Sequence, residues 1–180
     1  CSIQIGNPKI MNNNLNLPIV CNFRNADILN GGNGAPLVPF LDWLLYSNSN
    51  SHTLSINIGG ISNFSLIKSQ CLKNDIIGFD TGPGMCLIDR YVQDKWNIAY
   101  DNHGDISSMG KTDNELLRYL MQDKFINKKP PKSASTNMYD YNYLLALNSK
   151  FPSINKSNFL RTLLNFTAKS IRKNVKMYIN

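Results

Sequence analysis

Two glycine-rich turns constrain this chain more than any other feature. Asn57-Ile58-Gly59-Gly60-Ile61-Ser62-Asn63 separates two alternating apolar runs, and Asp80-Thr81-Gly82-Pro83-Gly84 closes a short apolar run and opens a helical one. Leu54, Ile56 and Ile58 alternate before the first turn, and Phe64 and Leu66 continue after it. That is the pattern of a β-hairpin. Ile76–Phe79 reads as a third strand, ended by Pro83-Gly84, which do not belong inside a strand. Two turns with only a short strand between them can face one pocket. Backbone N–H groups without side chains in the way suit a phosphate chain. The first functional reading is therefore a nucleotide or phosphate cradle.

The rest of the chain sets the hairpin in an α/β context. Ser2–Ile5 and Leu17–Cys21 read as short strands. A helix is predicted over Leu37–Tyr46 after Pro36, with Leu37, Phe40, Leu41, Leu44 and Leu45 as an apolar stripe. The polar stretch Ser47–Ser51 is the best candidate for a domain crossing. Met85, Leu87, Ile88, Tyr91, Val92 and Trp96 follow at helical spacing. A further helix spans about 113–121, with Asp113 as its cap. Pro130-Pro131 breaks structure. The last segment, about 157–178, reads as a long amphipathic helix with Phe159, Leu163, Phe166, Ile171, Val175 and Tyr178 inward.

Composition excludes several classes. With 180 residues and 42% hydrophobic content the chain can bury a core. No apolar run is long enough to span a bilayer, so no membrane partner is expected. No secretory leader is legible, and the chain begins at Cys1 rather than Met. Cys1, Cys21, Cys71 and Cys86 form no C-x-x-C pair, and no His lies at ligand spacing from them. They read as buried, reduced thiols of a cytoplasmic protein, with no metal site. The net charge of +7 is uneven: from Lys124 onward eleven Lys and Arg face one acid, Asp140. No aromatic-and-Arg motif accompanies this basic tail, so it reads as a solvated face rather than a nucleic-acid surface. His52 and His103 read as surface or loop residues.

Several strings occur in one order: Ile3-Gln4-Ile5-Gly6, Phe23-Arg24-x-x-Asp27, Gly31-Gly32-Asn33-Gly34-Ala35-Pro36-Leu37-Val38-Pro39, Asn57–Asn63, Asp80–Gly84, Tyr100-Asp101-x-x-Gly104 and Pro130-Pro131-Lys132-Ser133. Together they resemble the anhydro-N-acetylmuramic acid kinases, cell-wall recycling enzymes of the actin-like sugar kinase superfamily. The resemblance implies an α/β, actin-like (ribonuclease H-like) fold, here incomplete. Residues 1–50 would be the end of a first, substrate-side domain, and 51–180 the front half of a second, nucleotide-side domain. It further implies an internal fragment, with a first phosphate loop preceding this chain and an adenosine-binding string following it. The implied reaction opens the 1,6-anhydro ring with water and phosphorylates the freed 6-oxygen from ATP with Mg²⁺. A homodimer is also implied.

Carried over by resemblance, Gly59, Gly60, Ser62, Asn63, Asp80, Gly82 and Gly84 are nucleotide-side residues. Arg24, Asp27, Gly32 and Gly34 are sugar-side residues. Arg24 and Asp27 read equally as substrate ligands or as a pair with each other. Asp80 reads equally as a Mg²⁺ or substrate ligand or as a helix cap. Asp101 and Gly104 read as a structural turn. Asn22 stands where the family carries its general-base Asp. A side-chain amide has no basic lone pair near neutral pH, and loss of a general base costs ~10²–10⁴ in rate. Met85 replaces a polar residue, and an Arg and an acid are missing after Ser133. Two other readings therefore stay open: a non-catalytic remnant, and a nucleic-acid-binding protein resting on the basic tail alone.

Overall fold

The computed structural model describes residues 6–179. The strand expected at Ser2–Ile5 and the first cysteine lie outside the described residues. The chain divides into two compact units, Cys1–Leu37 and Val38–Asn180.

Among its described residues, the first unit's helices are held by local capping and bury no side chain. Helix α1 (Pro8–Leu15) starts behind Asn7, whose side chain accepts from the N–H groups of Lys9 and Ile10, and ends at a left-handed Asn16. Leu17–Cys21 forms no strand; it is irregular chain leading to the short helix α2 (Asn25–Leu29). No residue of either helix is buried. Alternating apolar residues without a sheet face to cover do not make a strand, which corrects the expectation at 17–21.

The second unit begins with α3 (Val38–Tyr46). Strands β1 (Thr53–Ile58), β2 (Ile61–Ile67) and β3 (Ile77–Pro83) follow, in one antiparallel sheet of order β1-β2-β3. Ser47–Ser51 lies inside this unit, between α3 and β1. The hairpin register pairs Ile58 with Ser62 and Thr53 with Ile67. β3 does not stop at Phe79. It pairs with β2 through Asp80, Gly82 and Pro83, across an irregularity at Ser62/Asn63. Pro is tolerated there because it closes the strand, on the sheet's edge.

Helices α4 (Cys86–Trp96), α5 (Asp105–Ser108), α6 (Asn114–Leu120), α7 (Lys124–Asn127), α8 (Tyr141–Lys150) and α9 (Lys156–Val175) complete the unit. The helical spacing of Leu87, Ile88, Tyr91 and Val92 is realised as a buried face. Phe159, Leu160, Leu163 and Phe166 of α9 meet it, with Tyr91 stacked on Phe159 at 4.7 Å between ring centres. Asp113 caps α6 through the N–H groups of Glu115 and Leu116. One sheet face carries a second cluster of Phe64, Leu66 and Phe79, closed by Val175 and Tyr178.

The apolar stripe of α3 faces outward. Phe40, Leu41, Leu44 and Leu45 are exposed, as are Ile56 and Ile58 of edge strand β1. The buried side of α3 presents Pro39, packed on Gly78, and Asp42. Of the cysteines, Cys86 is buried but Cys21 is exposed and Cys71 half-buried, so the expectation of uniformly buried thiols fails.

Candidate functional site

The two glycine turns are adjacent and interlocked. Gly59 and Gly60 turn the chain from β1 into β2. The Gly84 N–H donates to the Gly60 carbonyl at 2.9 Å, Met85 N–H to the Gly59 carbonyl at 2.8 Å, and Cys86 N–H to the Gly60 carbonyl at 3.2 Å. These amides begin α4, and helix-opening N–H groups need partners from outside the helix. A Cβ on Gly84 would stand 2.1 Å from the Gly59 oxygen. Only glycine lets the two backbones approach this closely. The amides of 84–86 thus bind protein carbonyls, whereas an open phosphate nest would leave them outward.

Gly82 has φ +141°, and its missing side chain leaves room for Ile126 and Ser170. Ser62 is fully buried. Its hydroxyl lies 2.7 Å from that of Thr81 and also reaches the Gly82 and Pro83 carbonyls. Ser62 therefore holds the sheet irregularity in place rather than presenting a hydroxyl outward. Met85 packs against the main core.

Asn57, Asn63 and Asp80 occupy one row across the three strands. Asp80 is 6% exposed, and its Oδ2 accepts from Ser133 Oγ at 3.0 Å and from Ala134 N–H at 2.8 Å. Burial pushes its carboxyl above the usual range, while these two donors and the Lys132 charge pull it back down. Asp80 lies within β3, six residues before α4, so it does not cap that helix. The segment that supplies its donors continues to Thr136, whose methyl group lies against Gly60. The Pro-Pro-Lys-Ser string marks this segment in the sequence, but nothing local assigns it a role.

Helix α9 completes the arrangement with polar groups. Thr167 Oγ1 donates to the Gly84 carbonyl at 2.9 Å, and Asn174 Nδ2 to the Thr81 carbonyl at 3.2 Å. Thr167, Ser170 and Asn174 share one helix face and are all buried. They protect the outer side of β3 at the glycine string.

The sugar-side residues form a separate cluster in the first unit. Arg24 Nη1 donates to the Gly34 carbonyl, and the Gly34 N–H donates to Asp27 Oδ2 at 2.7 Å. Arg24 and Asp27 therefore clamp one glycine from both sides rather than pairing with each other. A Cβ on Gly32 would fall 2.2 Å from the Asp27 carboxylate, and Gly34 has φ +66°. Asn22 precedes this cluster, exposed, at a left-handed φ of +61° that Asn tolerates better than most residues. Its carbonyl accepts from the Asn25 N–H at 3.1 Å.

The remaining candidates are structural. Asp101 accepts from the N–H groups of Ile106 and Ser107, and His52 Nδ1 accepts from the Ser69 N–H at 2.9 Å. Among the described residues no group of three or more His, Cys, Asp or Glu could hold a metal ion. Cavities of about 420 Å³ lie away from the turns, one between α6 and α9 and one lined by His52, Leu54, Leu66 and Tyr178. No helix among the described residues is long and apolar enough to cross a membrane.

The mixed α/β unit, with its two glycine turns interlocked and a buried carboxylate on β3, is compatible with several classes of protein, and comparison narrows them. The family profile described as anhydro-N-acetylmuramic acid kinase matches residues 1–179, and the chain belongs to that family. It is 39% identical over 178 residues to the anhydro-N-acetylmuramic acid kinase of Clostridioides difficile (strain 630), covering 99% of this chain and 46% of that protein. It is 38% identical over 178 residues to that of Bacillus cereus (strain 03BB102), covering 99% of this chain and 47% of that protein. The chain thus spans about half the length of the curated relatives it matches.

Proposed function

We propose that this chain supplies one wall of the nucleotide side and part of the sugar side of an ATP-dependent anhydro-N-acetylmuramic acid kinase acting in the cytoplasm. The reaction is hydrolytic opening of the 1,6-anhydro ring with phosphoryl transfer to the 6-oxygen, giving N-acetylmuramic acid 6-phosphate and ADP. The observation that carries this reading is the closing of Gly84 onto Gly59-Gly60 beside the buried Asp80, in a chain of this family. The sheet and following helices suit the front half of the second domain of an actin-like fold, residues 51–180.

The roles follow from the chemistry each group can do. Gly59, Gly60, Gly82 and Gly84 give the wall its close backbone surface, and Ser62 keeps it in register. Asn63 and Asp80 present the polar row toward nucleotide. Arg24, Asp27, Gly32 and Gly34 shape the sugar-side loop. Mg²⁺ is held in such sites by phosphates and one or two carboxylates; Asp80 fits as a single carboxylate ligand, and the ion would neutralise developing phosphate charge. Attack of water on the anomeric carbon needs a proton acceptor, and Asn22 lacks that basicity.

The test is ADP release by the purified protein with ATP and anhydro-N-acetylmuramic acid. Release that needs both substrates, and that Asn22→Asp raises ~10²–10⁴-fold, is the expected result. No ADP above a blank from folded parent and folded Asn22→Asp protein sinks the catalytic reading. Asn22 itself favours a second reading, a member that binds without turnover. ATP binding with no gain from Asn22→Asp would select it.

A further inference from the structure

Lys132 is a buried cation that the function above does not use. It is 2% exposed, and its Nζ donates to the Phe125 carbonyl at 3.1 Å, the Ile126 carbonyl at 3.1 Å and Asn174 Oδ1 at 2.7 Å. The Phe79 and Phe125 rings lie 5.5 and 4.9 Å away. Among the described residues the one ion pair is Lys95–Asp94, so Lys132 has no bonded carboxylate. A buried charge without a directly bonded carboxylate is costly, and an apolar side chain of similar volume would be cheaper. What Lys132 supplies is direction: three acceptors on α7 and α9 fix one end of the 130–134 segment.

The next two residues supply both donors to Asp80. Ser133 Oγ and Ala134 N–H reach Oδ2 at 3.0 and 2.8 Å. Asn174 closes the loop from the other side. It accepts from Lys132 and donates to the carbonyl of Thr81, the residue after Asp80, at 3.2 Å. We propose that Lys132 and Asn174 are positioning residues that latch the 130–134 segment onto α9 and so aim Asp80 at its ligand. This deepens the nucleotide-side reading of Asp80 and rests on it for the identity of that ligand.

Carbon-13 carboxyl titration of Asp80 in the ligand-free protein tests the latch, with Asp80→Asn assigning the signal. In Lys132→Met the Asp80 titration should move upward, from loss of the lysine charge as well as from withdrawal of its donors, so the discriminating variant is Asn174→Leu. Asn174→Leu retains the lysine charge and should move it the same way. Ser133→Ala should give part of the effect. ATP affinity should fall ~10-fold in both latch variants, about 1.4 kcal/mol. An Asp80 titration superimposable on the parent's, in folded Lys132→Met or folded Asn174→Leu, overturns the latch. If neither variant folds, amide exchange in the parent decides: a protected Ala134 N–H supports the latch, and exchange at the rate of an open loop overturns it. A moved Asp80 with unchanged ATP affinity leaves the latch standing and removes Asp80 from the nucleotide site.

Discussion

Gly84→Ala probes the interlock of the two turns most directly. The new Cβ would stand 2.1 Å from the Gly59 carbonyl oxygen, with the Gly59 and Ile61 carbonyl carbons at 3.1 and 3.2 Å. All three are backbone atoms, so no side-chain rotation relieves the clash. The turns must separate by roughly 1 Å to restore ordinary contact. Overpacking of this kind costs about 1–3 kcal/mol. Separation also stretches the bonds from Gly84, Met85 and Cys86 to Gly59 and Gly60. Losing two of them adds about 2 kcal/mol. The expected destabilisation is ~3–5 kcal/mol, a large part of the ~5–15 kcal/mol typical of a folded protein. At ~2–4 °C per kcal/mol the melting temperature should drop by about 6–20 °C. Urea unfolding followed by Trp43 and Trp96 fluorescence measures it. Gly59→Ala is the control, because its Cβ meets nothing closer than the Ile61 oxygen at 3.7 Å. Its effect should stay below about 1 kcal/mol, since removing a glycine also restricts the unfolded chain. Equal midpoints for the two variants would refute the interlock.

Asp27→Ala removes the acceptor for the Gly34 N–H. At this exposed site it should cost about 1 kcal/mol or less in global stability, while amide exchange at Gly34 accelerates; unchanged exchange there removes the clamp. Lys132 predicts a pH dependence. Burial lowers its pKa from 10.5 to about 8, and the Lys173 and Lys128 charges also lower it, while the Asp123 and Asp80 charges oppose the shift. Above pH 8 the native state has released a proton that the unfolded state still holds, so unfolding takes one up. Stability therefore rises with pH between about 8 and 10.5, and Lys132→Met flattens that rise in urea midpoints measured across the window.

The sequence made visible those elements whose periodicity coincides with burial. Strand β2, α4, α6 and α9 are of this kind, because their apolar residues recur at the spacing of a covered face, whereas the apolar residues that marked β1 and α3 are largely exposed. It hid α1 and α2, which rest on an asparagine cap and backbone turns and bury nothing. It hid the length of β3 for a different reason. Pro83 and two glycines read as a turn, yet β2 pairs with them on one side and α9 supplies hydrogen bonds on the other. Thr167, Ser170 and Asn174 look like the wet side of an amphipathic helix. They are buried because the surface they meet is itself polar backbone. Hydropathy cannot separate a polar face turned to water from one turned to carbonyls.

The site itself shows the same limit. The glycine strings located the turns and the family, but their amides suggested an open cradle. In the fold those amides bind the opposite turn, and the wall's shape comes from backbone pressed on backbone. Such a wall is formed before any ligand arrives, because its partners all belong to the protein. The same holds in the first unit, where Arg24 and Asp27 act on Gly34. The backbone hydrogen bonds that join the two turns lie within the second unit, and Asn22 belongs to the first. Binding and turnover should separate in this protein. On the proposed reading, a measured ATP affinity reports on the interlocked turns, and only the response to Asn22→Asp reports on the chemistry.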